Sequence, residues 1–419
     1  MRIPRWATYP AIAVVLFLSL IAIPKRHSGR GAAQERQQQS ITADVERARG
    51  ERAAASADVT TAERSELTPS MGGATARPQA GRSRSLLEFL PDGYAIDGSV
   101  DYRAELQHAI EASVGATLEL PDFPVRIGRA PGQVYGVRLL SGTHLVGQPT
   151  SLLFTEEFGL QLLRGEGVEN LTVERVALRG PGGDGRGLGH GLLQITGGHD
   201  VSLRHLDVWS ADCDGIALSQ VERCRVESCI VIGASKAAIY LSACDGAIVQ
   251  GNHVREFGGH VVPSGKRVGI GLQLSSCNDV VCSDNLVADG LGVGILCNAN
   301  QGGAAPKGHL IANNRVRGVT NADYPAVSGG LRLANGSGDT RTDTLVTGNS
   351  IADCGRNGIH VEHHDGSLIS RNLVTRSERE GILVGTIDGL QLTGNLVTAS
   401  GAAAIHLSDA AQHVVTESD

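Results

Sequence analysis

Aromatic side chains make up only 3% of this 419-residue chain: six Phe, six Tyr and two Trp. A globular enzyme of this size usually anchors its core on more large rings, so the composition argues against that design. No pair among the eight cysteines has zinc-finger spacing. Positive charge is in deficit, 37 Lys and Arg against 44 Asp and Glu for a net charge of −7. That balance points to no nucleic-acid partner. Proline is ordinary at 14, which rules out a collagen-like reading of the glycines. Glycine is in excess, 55 residues where average usage would supply about 29. A core of Val, Ile, Leu and Ala punctuated by Gly turns fits stacked strands.

The N-terminus carries one long uncharged run, 19 residues from Trp6 to Pro24. Arg2 and Arg5 precede it, and Lys25, Arg26 and Arg30 follow. Residues 1–27 therefore read as a signal peptide or signal anchor. Pro24-Lys25-Arg26-His27 stands where a cleavage site would want small residues, and Ala32-Ala33 is distant. The balance favours an anchor through residues 6–24, making the membrane a partner. Residues 28–85, rich in Ala, Arg, Glu, Gln and Ser without a sustained apolar period, read as a disordered linker. The folded part is expected to be exported, periplasmic or extracellular.

From Gly136 a unit recurs: a small residue, an apolar one, a variable one, an apolar one. It starts at Gly136, Gly159, Leu192, Gly215, Ala238, Gly271, Gly294, Gly330, Gly358, Gly381 and Ala404, with Leu192 the only large residue at the first position. The base spacing is 23 and the longer intervals contain insertions. Both apolar positions are filled in all eleven units, for instance Ile216/Leu218, Leu331/Leu333 and Ile359/Val361. Period-two alternation puts them on one face of a strand. Asn252, Asn285, Asn314, Asn349, Asn372 and Asn395 follow the same insertions, and Cys229 holds the equivalent place one coil earlier. Stacked Asn amides can bond along such a column.

These repeats resemble those of the parallel β-helix proteins of the pectin-lyase-like superfamily, over residues 136–419. The head agrees: Asp97-Gly98-Ser99-Val100-Asp101, then Ala104 to Ile110, then Gly115 to Pro121, resembles the cap helix and first strand of such proteins. The expected fold is all-β, a right-handed parallel β-helix of about eleven coils with an N-terminal cap, a helix and the first strand, at residues 86–135. The fold alone says little about reaction. Polygalacturonase motifs are missing except His190-Gly191. The alginate-epimerase Asp-Pro-His-Asp is replaced in register by His360-Val361-Glu362-His363. The grouped acids of calcium-dependent pectate lyases are absent, so neither a metal nor another cofactor is expected.

Chemistry is expected on the outward stripe, where residues of neighbouring coils emerge about 4.8 Å apart. Between the two apolar positions it reads Arg138, Gln161, Gln194, Ala217, Tyr240, Gln273, Leu296, Arg332, His360, Leu383 and His406. Polar density peaks at Arg332, His360 and, two residues on, Glu362. These are the candidate catalytic residues, for a cation, an imidazole and a carboxylate can grip an anionic sugar and move a proton. The run continues as His363-His364-Asp365, although alternation forbids all four side chains from converging. Gln194, Tyr240 and Gln273 on the stripe, and Arg186, His190, His260 and Lys266 on insertions before strands, are expected to contact substrate. The partner implied is a polysaccharide, with lyase, epimerase or glycoside hydrolase activity if there is catalysis; a non-catalytic repeat protein of the envelope is the rival reading. Cys244 and Cys277, 33 apart like their coil starts, should stack within disulfide range, while Cys224, Cys282 and Cys297 read as small buried hydrophobes.

The N-terminal reading is tested by fractionation. Full-length protein should sediment with membranes, and deletion of residues 1–27 should leave it soluble in the cytoplasm. A processed form beginning near Gln34 would reject the anchor.

Overall fold

The computed structural model describes residues 83–183, 191–299, 305–325, 328–335 and 341–417. The apolar run, nearly all of the linker, Arg186 and His190 lie outside them. No described helix is long and apolar enough to cross a membrane.

The chain opens with the strand Ser83–Ser85, already paired with Thr117–Glu119. Helix α1, Arg103–Ala112, follows, with Leu106, Ala109 and Ile110 buried as their spacing requires. It packs against Tyr135–Leu139 at the start of the stack. Burying that apolar face covers a first coil whose core would otherwise meet water.

The remainder is a parallel β-solenoid of about ten turns. A front ladder runs from Tyr135–Leu139 to Ile405–Leu407, and a back ladder of eleven strands closes the coils behind it. A third, lateral ladder merges with the front one through two 14-residue strands, Gln161–Glu174 and Gly191–Arg204. The inward column of the front ladder reads Leu193, Ile216, Ile239, Leu272, Ile295, Leu331, Ile359, Ile382 and Ile405 in direct register. All but Ile405, on the last coil, are buried. The small residue opening each unit has a steric cause. A Cβ at Gly358 would lie 2.2 Å from Cγ1 of Val374 on the back ladder.

One coil departs from the expected register. Val137 pairs with Leu163 and Leu163 with Leu193, so Arg164, not Gln161, occupies the stripe, and Gln161 is buried. The second inward place falls to Gly165, whose missing side chain is replaced by Ile195 and Val168; a Cβ there would sit 2.9 Å from Ile195 Cδ1. A glycine at an apolar position leaves no hydrophobic mark, and the neighbouring Leu162 supplied a false one.

The asparagine column forms as expected. The Asn314 amide donates to Asn349 Oδ1 and to the Cys282 carbonyl, both at 2.9 Å, while its own Oδ1 accepts from the backbone and side chain of Asn285. The same bonds join Asn252 to Asn285, Asn349 to Asn372 and Asn372 to Asn395. Each Asn follows a residue of positive φ, such as Asp284, Asn313 or Arg371. The Asn side chain thereby satisfies amides that a tight left-handed corner would leave bare. Cys244 and Cys277 do stack, each directly ahead of its residue in the Asp245–Asn278 bridge, but no disulfide joins any of the eight cysteines, all of which are buried. Their thiols bond to carbonyls instead, Cys244 to Leu218 at 3.6 Å and Cys277 to Ser275 at 3.4 Å.

Replacing Asn314 with Ala should cost about 3 kcal/mol, because it takes the acceptor from the buried Asn285 backbone and side-chain amides and the donor from the Cys282 carbonyl and Asn349 Oδ1. Urea denaturation checks this, and a midpoint equal to the parent's would contradict the column's role.

Candidate functional site

The front stripe runs Arg138, Arg164, Gln194, Ala217, Tyr240, Gln273, Leu296, Arg332, His360, Leu383, His406. Insertions that enter successive strands join along one side of it. Ser235 Oγ donates to the Gly183 carbonyl, and the Gly259 and His260 amides donate to the Ser235 carbonyl. Further along, the Asn321 amide donates to the Arg267 carbonyl, and Lys266 Nζ lies 4.6 Å from the Tyr324 ring centroid. The insertions 298–309 and 335–344 follow the strands Gly292–Asn298 and Gly329–Ala334, where the others precede theirs.

The predicted triad comes together. Arg332 and His360 are register partners on adjacent coils, and Ala334 pairs with Glu362. His360 Nε2 lies 3.8 Å and Arg332 Nη2 4.0 Å from Glu362 Oε2. Burial first, then the Arg332 and Arg356 guanidiniums, push His360 down to about 4. The ring is therefore neutral at neutral pH and able to accept a proton. Arg356, just ahead of the strand Asn357–Glu362, was not singled out in sequence.

His363 and His364 part company, as alternation demands. His363 turns at positive φ, and His364 is fully buried in the interior. Burial chiefly, with His309 nearby, pushes His364 down to about 3, and burial pushes His309 to about 4. Asp365 accepts the Asp388 amide on the next coil.

Gln194, Tyr240 and Gln273 all lie on the stripe. Gln194 accepts the Gly191 amide at 3.0 Å, and Gln273 donates to Ser275 Oγ at 3.0 Å. His260 lies on a hairpin, His260–Val261 against Arg267–Ser275. It is near enough to Asp214 for its charge to act there, whereas Lys266 sits further out against Tyr324. Sequence reasoning missed the partner of this group, Lys236. Its ammonium is 3.7 Å from Asp214 Oδ2 and 5.7 Å from the Tyr240 ring centroid. Asp214 is almost wholly buried, accepts the Ala237 amide through Oδ1, and leaves Oδ2 without a hydrogen bond. Burial raises its pKa; Lys236 works the other way. Asp214 and Lys236 stand 22 residues apart at the openings of adjacent strands, which is close to one coil. That spacing was the available signal.

The profile of a family described as periplasmic copper-binding protein (NosD) matches residues 193–330 and 307–419. No curated protein matches the chain. Among solved structures the chain is similar to PfbA, a surface adhesin of Streptococcus pneumoniae (TM-score 0.53, 14% identity, 77% of this chain and 93% of that one). It is similar to the A-module of the mannuronan C-5 epimerase AlgE4 of Azotobacter vinelandii (TM-score 0.51, 15% identity, 80% and 100%). A third is the tailspike of E. coli bacteriophage HK620 in complex with a pentasaccharide (TM-score 0.55, 14% identity, 80% and 67%). Identities this low establish the shared fold and nothing more.

The buried rings set a pH dependence. His309, His360 and His364 titrate below their unfolded value of about 6.5, so the unfolded state binds more protons and stability falls as pH drops from about 6.5 toward 4. For fully buried His309 the loss is roughly 3 kcal/mol. Asp212 and Asp214, raised by burial, act in the opposite sense. Urea titrations at pH 7 and 4.5 should show a clear loss, and His309→Leu should flatten part of it. An unchanged pH slope in that variant would contradict the assignment.

Proposed function

The chain belongs to the family described as periplasmic copper-binding protein (NosD), and from that premise we propose an exported periplasmic β-helix protein whose front groove binds an extended acidic polysaccharide. Residues 6–24 would hold it at the membrane. The observation that carries the reading is the meeting of Arg332, His360 and Glu362 on the outward face of the front ladder, with the Arg356 charge acting on His360. Two similarly folded proteins support it by what they take: one epimerises mannuronan and one is complexed with a pentasaccharide.

The geometry suits uronate chemistry. Arg332 would neutralise a carboxylate, His360 would take the proton beside it, and Glu362 would orient the ring or return a proton. A ring titrating at about 4 is a weak base. A carboxylate docked on the guanidiniums would cancel part of the field that depresses it, so substrate itself would raise the basicity of His360. Lyase and epimerase reactions both start from that proton transfer. The second reading, a non-catalytic carbohydrate-binding or structural protein of the envelope, draws its support from the missing motifs of the superfamily's enzymes.

The family description also names copper, and the described residues do not fit it. No three His, Cys, Asp or Glu among them converge on one point. The cysteines are core residues, and burial pushes Cys213 up to about 11 and Cys282 and Cys354 up to about 12, keeping them thiols. His309 Nδ1 accepts the Val280 amide, so the neutral ring carries its proton on Nε2 and presents no lone pair to a metal. His364 has both ring nitrogens unpartnered, but one imidazole is not a site.

Incubation with a panel of acidic and neutral polysaccharides tests the reading. Acidic chains should bind, and unsaturated ends or epimerised residues would identify the reaction. Arg332→Ala should weaken binding at least tenfold, and His360→Ala should abolish any turnover while the melting temperature stays within a few degrees. Full binding and activity with both replaced would move the site elsewhere.

A further inference from the structure

Lys236 is a partly exposed cation set against a buried carboxylate. Its ammonium lies between Asp214, which is nearly inaccessible to water, and Tyr240, which stands on the stripe. Asp214 is anchored by the Ala237 amide, and its free oxygen Oδ2 is buried and points at Lys236 without a hydrogen bond. A buried carboxylate left so incompletely paired is costly. Lys236 is the cation beside it, 3.7 Å from that oxygen. Burial works against the ammonium, but Asp214, with Cys213 and Tyr240, more than offsets it and raises the lysine's pKa. The side chain is still 35% exposed, so the cation remains open to a ligand.

Tyr240 and Arg332 share the stripe register, separated by Gln273 and Leu296. Three coil steps place Tyr240 roughly 14 Å from Arg332, and the Lys236 ammonium lies 5.7 Å from the Tyr240 ring centroid. Between them lie an amide able to bond hydroxyls and an apolar side chain, with no charge on the stripe. We propose that Lys236 is a second anion-binding station of the same groove, and that the ligand is a polyuronate long enough for separate carboxylates to engage Lys236 and Arg332 together. The inference rests on the groove reading and adds a substrate class to it: a linear polymer bearing repeated carboxylates, bound across the strands along the solenoid axis. Linking the two contacts in one ligand makes the second intramolecular and multiplies the affinity.

The test is calorimetric titration of the purified protein with a size ladder of oligogalacturonates and oligomannuronates, from the disaccharide upward. Affinity should step up at least tenfold at the length that first reaches both stations. Lys236→Met alone would strand Asp214 and risks unfolding, so the variant to use is the pair Asp214→Asn/Lys236→Met, with Lys236→Arg as the conservative control. The paired variant should lose the step but still bind short oligomers through Arg332. Arg332→Gln should lose the step and keep short oligomers through Lys236, and Lys236→Arg should retain it. A smooth rise with length, or a step that survives in the paired variant, overturns the second station while leaving the groove reading intact. If no oligouronate of any length binds, the groove reading fails and the second station with it.

Discussion

Among the described residues, the strands inside the ladders find hydrogen-bond partners for their backbones in the coil before and the coil after. The front ladder keeps one register from Leu193 to Ile405, and the asparagine column holds the corner of successive coils to the same pitch. Because an extra residue within a strand would move every later side chain to the wrong face, added sequence can leave only at the turns. The long insertions do so, at 179–191, 256–270, 298–309, 318–329 and 335–344. The front register continues across all of them unbroken.

The same constraint sets the electrostatics. Strand spacing brings Arg332 beside His360, while alternation puts Glu362 on their face and carries His364 into the core. One imidazole is thereby kept partly shielded next to two guanidiniums, and the other is sealed away from solvent. The pair Asp214–Lys236 obeys the same rule across adjacent coils, with the insertion carrying His260 lying over it.

Most of the fold was legible in the sequence because a solenoid writes its contacts at a fixed interval. The apolar pairs, the Asn column and the stacking of Cys244 on Cys277 followed from spacing, and the cap helix from its resemblance to those of related β-helix proteins. Reading failed where the period carried no chemical mark. At Gly165 an inward position is filled by neighbours, and the stripe residue is Arg164 where Gln161 was expected. The stacked cysteines lie close together without a covalent bond between them. The triad Arg332, His360 and Glu362 was legible because its members share a register. Lys236 and Arg356 were not, because they stand just ahead of their strands, where side-chain direction depends on the turn and on the insertions packed over it.

The central claim is that an acidic chain lies along the front stripe. A crystal structure of the protein with an oligouronate bound tests it most directly. The account predicts a ligand running along the solenoid axis over Tyr240, Gln273 and Leu296, with one carboxylate against Arg332 and another against Lys236. A ligand seated on the back ladder, or lying along a single strand instead of across the coils, would contradict it.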